Sequence, residues 1–137
     1  MAQPRQLLFP ALLILAAIGC SNGVTEPDEH RLELRRLETP ATLTFGQPLV
    51  VGIHYSIGAC IELSAVSGQL VGGTRLEIEV LGKHMSLPAG MACLGIVMHR
   101  DTTFTFISPP VGQLTVVGLQ PWGPPLESSV VVSPAGS

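Results

Sequence analysis

Residues 75–81 read Arg-Leu-Glu-Ile-Glu-Val-Leu, and this stretch decides the fold. Leu76, Ile78 and Val80 alternate with Arg75, Glu77 and Glu79, the period of two that marks a strand with one dry and one wet face. The same period recurs on both sides of it. Leu32 and Leu34 alternate with Arg31, Glu33 and Arg35, and Leu43 and Phe45 alternate with Thr42 and Thr44. Leu49, Val51, Ile53 and Tyr55 share one face, as do Ile61, Leu63 and Ala65. Further on, Phe104 and Phe106, Leu114 and Val116, and Val130 and Val132 repeat the pattern. Between these runs stand Ser67-Gly68, Gly72-Gly73, Gly82-Lys83, Pro88-Ala89-Gly90, Pro109-Pro110 and residues 121–125. Each supplies a positive or a fixed φ, so each is read as a turn. No run of ten or more residues after the first twenty has the 3.6-residue period of a helix. About seven to nine short strands at this spacing predict an all-β protein, an antiparallel β-sandwich.

The beginning of the chain is a different kind of segment. Residues 7–18 are an apolar run preceded by the single charge Arg5, too short for the about 20 residues needed to span a bilayer. A positive start, a short apolar stretch and small residues at its end are the marks of a secretory signal peptide. Its end, Ala17-Ile18-Gly19-Cys20, resembles the lipobox of bacterial lipoproteins, with Ala17 where that family favours Leu. The resemblance implies cleavage before Cys20, a diacylglyceryl group on its sulfur, and usually acylation of the new amino terminus. Multiple acyl chains contribute about 0.8 kcal/mol per buried CH₂, enough for a stable anchor where one chain is not. The expected organisation is a signal peptide over 1–19, the acylated Cys20 and a flexible polar tether over 20–30, and a sandwich domain over 31–137. The location implied is the bacterial cell envelope, with Ser21 after the cysteine compatible with the outer membrane.

Roughly 118 residues then remain, the size of one domain. The formal charge of −3 becomes more negative once Arg5 leaves, so no basic footprint for nucleic acid is present. Charged residues make up 12% of the chain, against fifteen glycines and twelve prolines, which suits short strands and tight turns. Beside Cys20 the cysteines are Cys60 and Cys93, an even pair whose default in an exported chain is a disulfide. The alternative is two free thiols acting as metal ligands. Cys60 has the parity of the outward-facing Glu62, so the bridge is expected at the periphery, near a strand end. The only Trp, Trp122, is not placed to pack on a core bridge as in antibody domains.

A second resemblance follows from these pieces taken together. The alternating Leu76–Val80 strand, the following Cys93, Thr103-Phe104-Thr105-Phe106, and Pro109-Pro110 leading through Gly112 into Leu114-Thr115-Val116 look like the Ig-like sandwich domains of uncharacterised bacterial lipoproteins. The likeness covers about residues 31–132. It implies an Ig-like fold and an envelope location, a proline and glycine turn before one of the last strands, and a cysteine pair tying a loop to a strand. It implies no activity.

The sequence holds no Gly-x-Ser-x-Gly elbow, no His-Glu-x-x-His and no phosphate loop, so the expectation is a binding or assembly module with neither cofactor nor catalysis. Glu77 and Glu79 read as a solvated strand face, and His54 as a surface histidine. A second function class rests on residues 83–100, where His84, Met85, Met91, Cys93, Met98 and His99 combine imidazole and soft sulfur, the ligands that suit copper. Against it, neighbours on a strand point to opposite faces, so His84 with Met85, or Met98 with His99, do not reach one ion without a bulge. The alternative is that the three methionines fill the core and the histidines face water. A third class, a loop-based inhibitor of envelope proteases, has no specific residue behind it. The expected contact surface for an envelope protein or glycan is the loop 119–126, Leu-Gln-Pro-Trp-Gly-Pro-Pro-Leu, where prolines hold Trp122 rigid. The bland alternative is that Trp122 covers an open end of the sandwich.

Overall fold

The structure, a computed structural model, describes residues 28–136. The signal peptide and Cys20 lie outside the described residues. Within them the chain forms nine strands and no helix: β1 (Glu29–Arg31), β2 (Leu34–Glu38), β3 (Thr42–Thr44), β4 (Leu49–Gly58), β5 (Ile61–Val71), β6 (Arg75–His84), β7 (Val97–Phe106), β8 (Gly112–Gly118) and β9 (Leu126–Ser133). The first strand begins at Glu29, so the last residues assigned to the tether are already part of the fold.

Two sheets pack face to face. The smaller has the order β2-β4-β7 and is antiparallel throughout. The larger has β5 on one edge of β6, while β1 and β8 take successive stretches of its other edge; β9 and β3 follow beyond β8. The sandwich is not purely antiparallel, which corrects the expectation. The β6–β8 and β3–β9 pairs run parallel. For β6 and β8 the cause lies in the connection: β7 between them belongs to the opposite sheet, so β8 returns in the direction of β6.

The core is made of the strand faces that alternation selects. Leu49, Val51, Ile53, Tyr55 and Ile57 of β4 face Leu76, Ile78 and Val80 of β6, with Leu114 and Val116 of β8 and Val130 and Val132 of β9. Each such side chain contributes about 1.5–3 kcal/mol on leaving water. Phe45, expected inside, is exposed, because β3 is only three residues long and ends before it. Leu63 is also exposed. A bulge between Leu63 and Ala65 adds a residue to β5 and reverses its parity, so beyond it Val66 and Leu70 pack on the core, as Ile61 does ahead of it.

Ser67-Gly68 and Gly82-Lys83 are not turns, since both lie inside strands. The real break is Gly72-Gly73, whose φ values of 63° and 75° close the β5–β6 hairpin in the left-handed region that glycine adopts without penalty. Gly68 and Gly82 are in strands because large side chains cover them. A Cβ on Gly68 would stand 2.5 Å from the Phe104 ring, and one on Gly82 would stand 2.7 Å from Leu32.

Candidate functional site

One end of the sandwich gathers most of the residues singled out in the sequence. β4 ends there at Gly58, β5 starts at Ile61, β6 ends at His84 and β7 starts at Val97. Cys60 lies in the turn between β4 and β5, and Cys93 in the long loop between β6 and β7. They form a disulfide with Cα atoms 5.6 Å apart, outside the core and at a strand end. Backbone hydrogen bonds extend the tie: Met85 N–H donates to the Cys60 carbonyl at 2.9 Å, and Ala59 N–H to the Ile96 carbonyl at 3.3 Å. The loop over residues 85–96, which has no strand partner of its own, is therefore stapled to the sandwich at several points.

That loop is apolar and faces outward. Met91 is 63% exposed and Leu94 71%, and Met85, Leu87, Ile96 and Val97 are exposed as well. This corrects the reading of the methionines as core filler. Only Met98 packs against the core, because it stands opposite Ile57 on the inner face of β7. The staple explains how such a surface persists, since a loop without pairing or burial has little else to fix it.

The copper ligands are not assembled. Cys93 is spent in the disulfide. His84 sits at the end of β6 in the larger sheet, its ring 5.6 Å from that of His30. His99 is on β7 in the smaller sheet, its Nδ1 3.3 Å from the Ser56 hydroxyl, and Met98 beside it points the other way. Among the described residues no group of three or more His, Cys, Asp or Glu side chains is arranged to hold a metal ion.

Trp122 joins the same end. It is 72% exposed, so it does not act as a cover. With His30, Ile57, Ile61 and Val97 it lines a shallow groove of about 170 Å³. Its loop is held by Gln120, a residue that sequence reading did not single out. The Gln120 carboxamide oxygen accepts from Leu34 N–H at 2.9 Å, and its amide nitrogen donates to the Leu34 carbonyl at 2.7 Å. The side chain thus pairs with the start of β2 as a neighbouring strand would. Arg31 adds a hydrogen bond to the Gln120 carbonyl at 3.4 Å while pairing with Glu79 at 3.0 Å. None of these partners is near in sequence, so no local signal announces them. The apolar end itself did have one: residues 85–98 contain no charged side chain.

A second polar constellation lies on the outer face of the smaller sheet. His54 stands between two carboxylates, its Nε2 3.1 Å from Glu38 and its Nδ1 2.5 Å from Asp101. Arg36 reaches both Glu38, at 2.6 Å, and the His54 ring, at 3.2 Å. The carboxylates occupy opposite sides of the imidazole, so they orient the ring and do not converge on a common point. Register produces this cluster, since Arg36 and Asp101 both lie directly opposite His54 on the flanking strands. Arg35, Arg36 and His54 line an open depression of about 300 Å³. On the inner face of the same strand, burial pushes the Tyr55 phenol above its ordinary pKa, with Asp101 adding to the rise and Arg100 opposing it.

No family model, no curated protein and no solved structure matches this chain.

Proposed function

We propose that the protein is a non-enzymatic binding or assembly module of the bacterial envelope, an Ig-like sandwich held to the outer membrane by acylation of Cys20. The observation that carries the binding role is the stapled end. An exposed Trp122 borders a groove beside an exposed apolar loop that a disulfide ties to the sandwich. Exposed apolar surface of this kind marks a contact site on soluble domains, and Trp is enriched among the residues that carry binding energy. The Ig-like assignment is supported by the order β2-β4-β7, which matches the A, B and E strands of that fold, while the parallel β6–β8 pair departs from it. The anchor is supported by the Ala17-Ile18-Gly19-Cys20 motif at the end of the apolar leader.

Fractionation of cells producing the wild type and Cys20→Ala tests the proposal. The wild type is expected in the detergent-soluble membrane fraction, with Cys20→Ala released from it or stalled as uncleaved precursor. Equal membrane retention of a cleaved Cys20→Ala protein would contradict the anchor.

A further inference from the structure

We infer that the stapled end of the sandwich, residues 85–97 with Trp122, rests in the interface of the same bilayer that holds the anchor. The inference deepens the envelope-anchor reading and rests on it. Three observations lead to it. The first is where the described chain begins. Residues of β1 pair with the far end of β6, Glu29 with Lys83 and His30 with Gly82, and the Glu29 carboxylate accepts from the Ser64 hydroxyl. The chain therefore joins the sandwich at the end that carries the apolar loop.

The second is length. Cys20 and Asp28 are eight residues apart, and an extended chain covers at most about 3.6 Å per residue. An acyl group on Cys20 thus keeps Asp28 within about 30 Å of the lipid at every moment, whereas the opposite end can stand farther off by the length of the sandwich. At that distance an apolar surface meets the bilayer at a high effective concentration, and a weak preference suffices to hold it there.

The third is chemistry. Met85, Leu87, Met91, Leu94, Ile96 and Val97 are exposed, and no charge interrupts residues 85–98. Trp122 shares its groove with Val97, and an exposed Trp suits a membrane interface, with its ring apolar and its N–H able to remain wet. The rim is not basic. Glu29, Glu33 and Glu62 outnumber Arg31 and Lys83 there, and both cations are already paired, Arg31 with Glu79 at 3.0 Å and Lys83 with Glu62 at 3.4 Å. Attraction to anionic lipid is therefore not the driving force. Apolar contact is, and a zwitterionic bilayer should serve as well as an anionic one.

Trp122 is the only tryptophan, so it reports on this end without labelling. The full mature chain, purified from membranes, is reconstituted in phosphatidylcholine vesicles with and without bromine on the upper acyl chain. An interfacial surface seats about 5–10 Å into the headgroup and acyl boundary, so brominated lipid should reduce Trp122 emission about twofold. The double variant Met91→Asp/Leu94→Asp should still float with the vesicles through its anchor but lose most of the quenching. Anionic vesicles should give the wild-type result unchanged. If the wild type floats with the vesicles and Trp122 is unquenched, the inference fails while the anchor stands. If the chain carries no acyl group and does not float, the anchor reading fails first and the inference with it. Shielding of Trp122 from aqueous acrylamide that arises without lipid and grows with protein concentration would put a second copy on this end and overturn the inference. So would shielding that needs an added envelope extract.

Discussion

Gly68 shows how a single missing Cβ shapes this fold. It lies in the middle of β5, exposed on one side and covered by the Phe104 ring on the other, where a Cβ would stand 2.5 Å from the ring. The two strands belong to different sheets, so the glycine is what lets β7 close over β5. Gly68→Ala is expected to cost about 1–3 kcal/mol, the usual penalty for overpacking. In a Phe104→Leu background the same change should cost distinctly less. Gly95→Ala, with open space around the position, should stay within about 0.5 kcal/mol of wild type. Urea denaturation of the four variants measures all three, and equal costs at Gly68 and Gly95 would contradict the packing.

Tyr55 gives the pH dependence at the same scale. Its phenol is raised by burial, so the folded chain holds the proton more tightly than the unfolded one. The stability it contributes is complete below about pH 10, the ordinary value, and is lost as pH rises through the higher folded-state value. Wild type should therefore fall in urea midpoint as pH rises above about 10, and Tyr55→Phe should lack that part of the fall. Tyr55 is the only tyrosine, so phenolate absorbance follows it directly. Ionisation at or below the ordinary value in the folded protein would contradict the burial argument.

Among the elements, those with strict alternation are legible in the sequence and those shaped by a neighbour are not. The alternation names the buried faces of β4 from Leu49 to Tyr55 and of β6 from Leu76 to Val80, because these stretches pack one face on the opposite sheet; the continuations to Ile57 and Gly82 are not named. The first half of β7 is missed: its inward positions include Arg100 and Thr102, which match no apolar pattern. The second half of β5 is missed because a bulge shifts its parity and a glycine sits mid-strand where Phe104 needs room. Parallel pairing leaves no local trace at all, since it depends on which sheet the intervening strand joins. The staple was legible in the pair Cys60 and Cys93, whereas the lack of charge over 85–98 is a signal left unread when the methionines there are assigned to the core. The Gln120 clasp on β2 and the His54 cluster were not legible, because both depend on register between strands distant in sequence.

The disulfide belongs to the scale of elements as well. It closes a span of 33 residues that contains β5 hairpinned to β6 and the apolar loop. On loop entropy it should contribute about 3–4 kcal/mol. Cys60→Ala/Cys93→Ala removes that contribution and leaves the core untouched. The double variant is expected to fold with the same strand content, at lower stability, and with amide exchange accelerated chiefly over residues 85–96. Uniform acceleration across β4, β6 and β8 would instead place the bridge at the centre of the fold.

At the scale of the whole molecule the sandwich has two unlike ends and one polar flank. The stapled end carries the start of the described chain, the apolar loop and Trp122, while the outer face of the smaller sheet carries Arg36, Glu38, His54 and Asp101. If the stapled end lies against the bilayer, the polar flank is left free toward the compartment, with the open depression beside Arg35 and Arg36 on it. Everything in this arrangement depends on the chain being tethered at Cys20. Intact mass spectrometry of the protein extracted from membranes tests that directly, together with the staple. The expected species is a chain starting at Cys20, heavier by a diacylglyceryl group and a further acyl chain, and lighter by the two hydrogens lost in joining Cys60 to Cys93. A soluble, unacylated chain starting elsewhere, or an acylated chain with both of those thiols free, would contradict it.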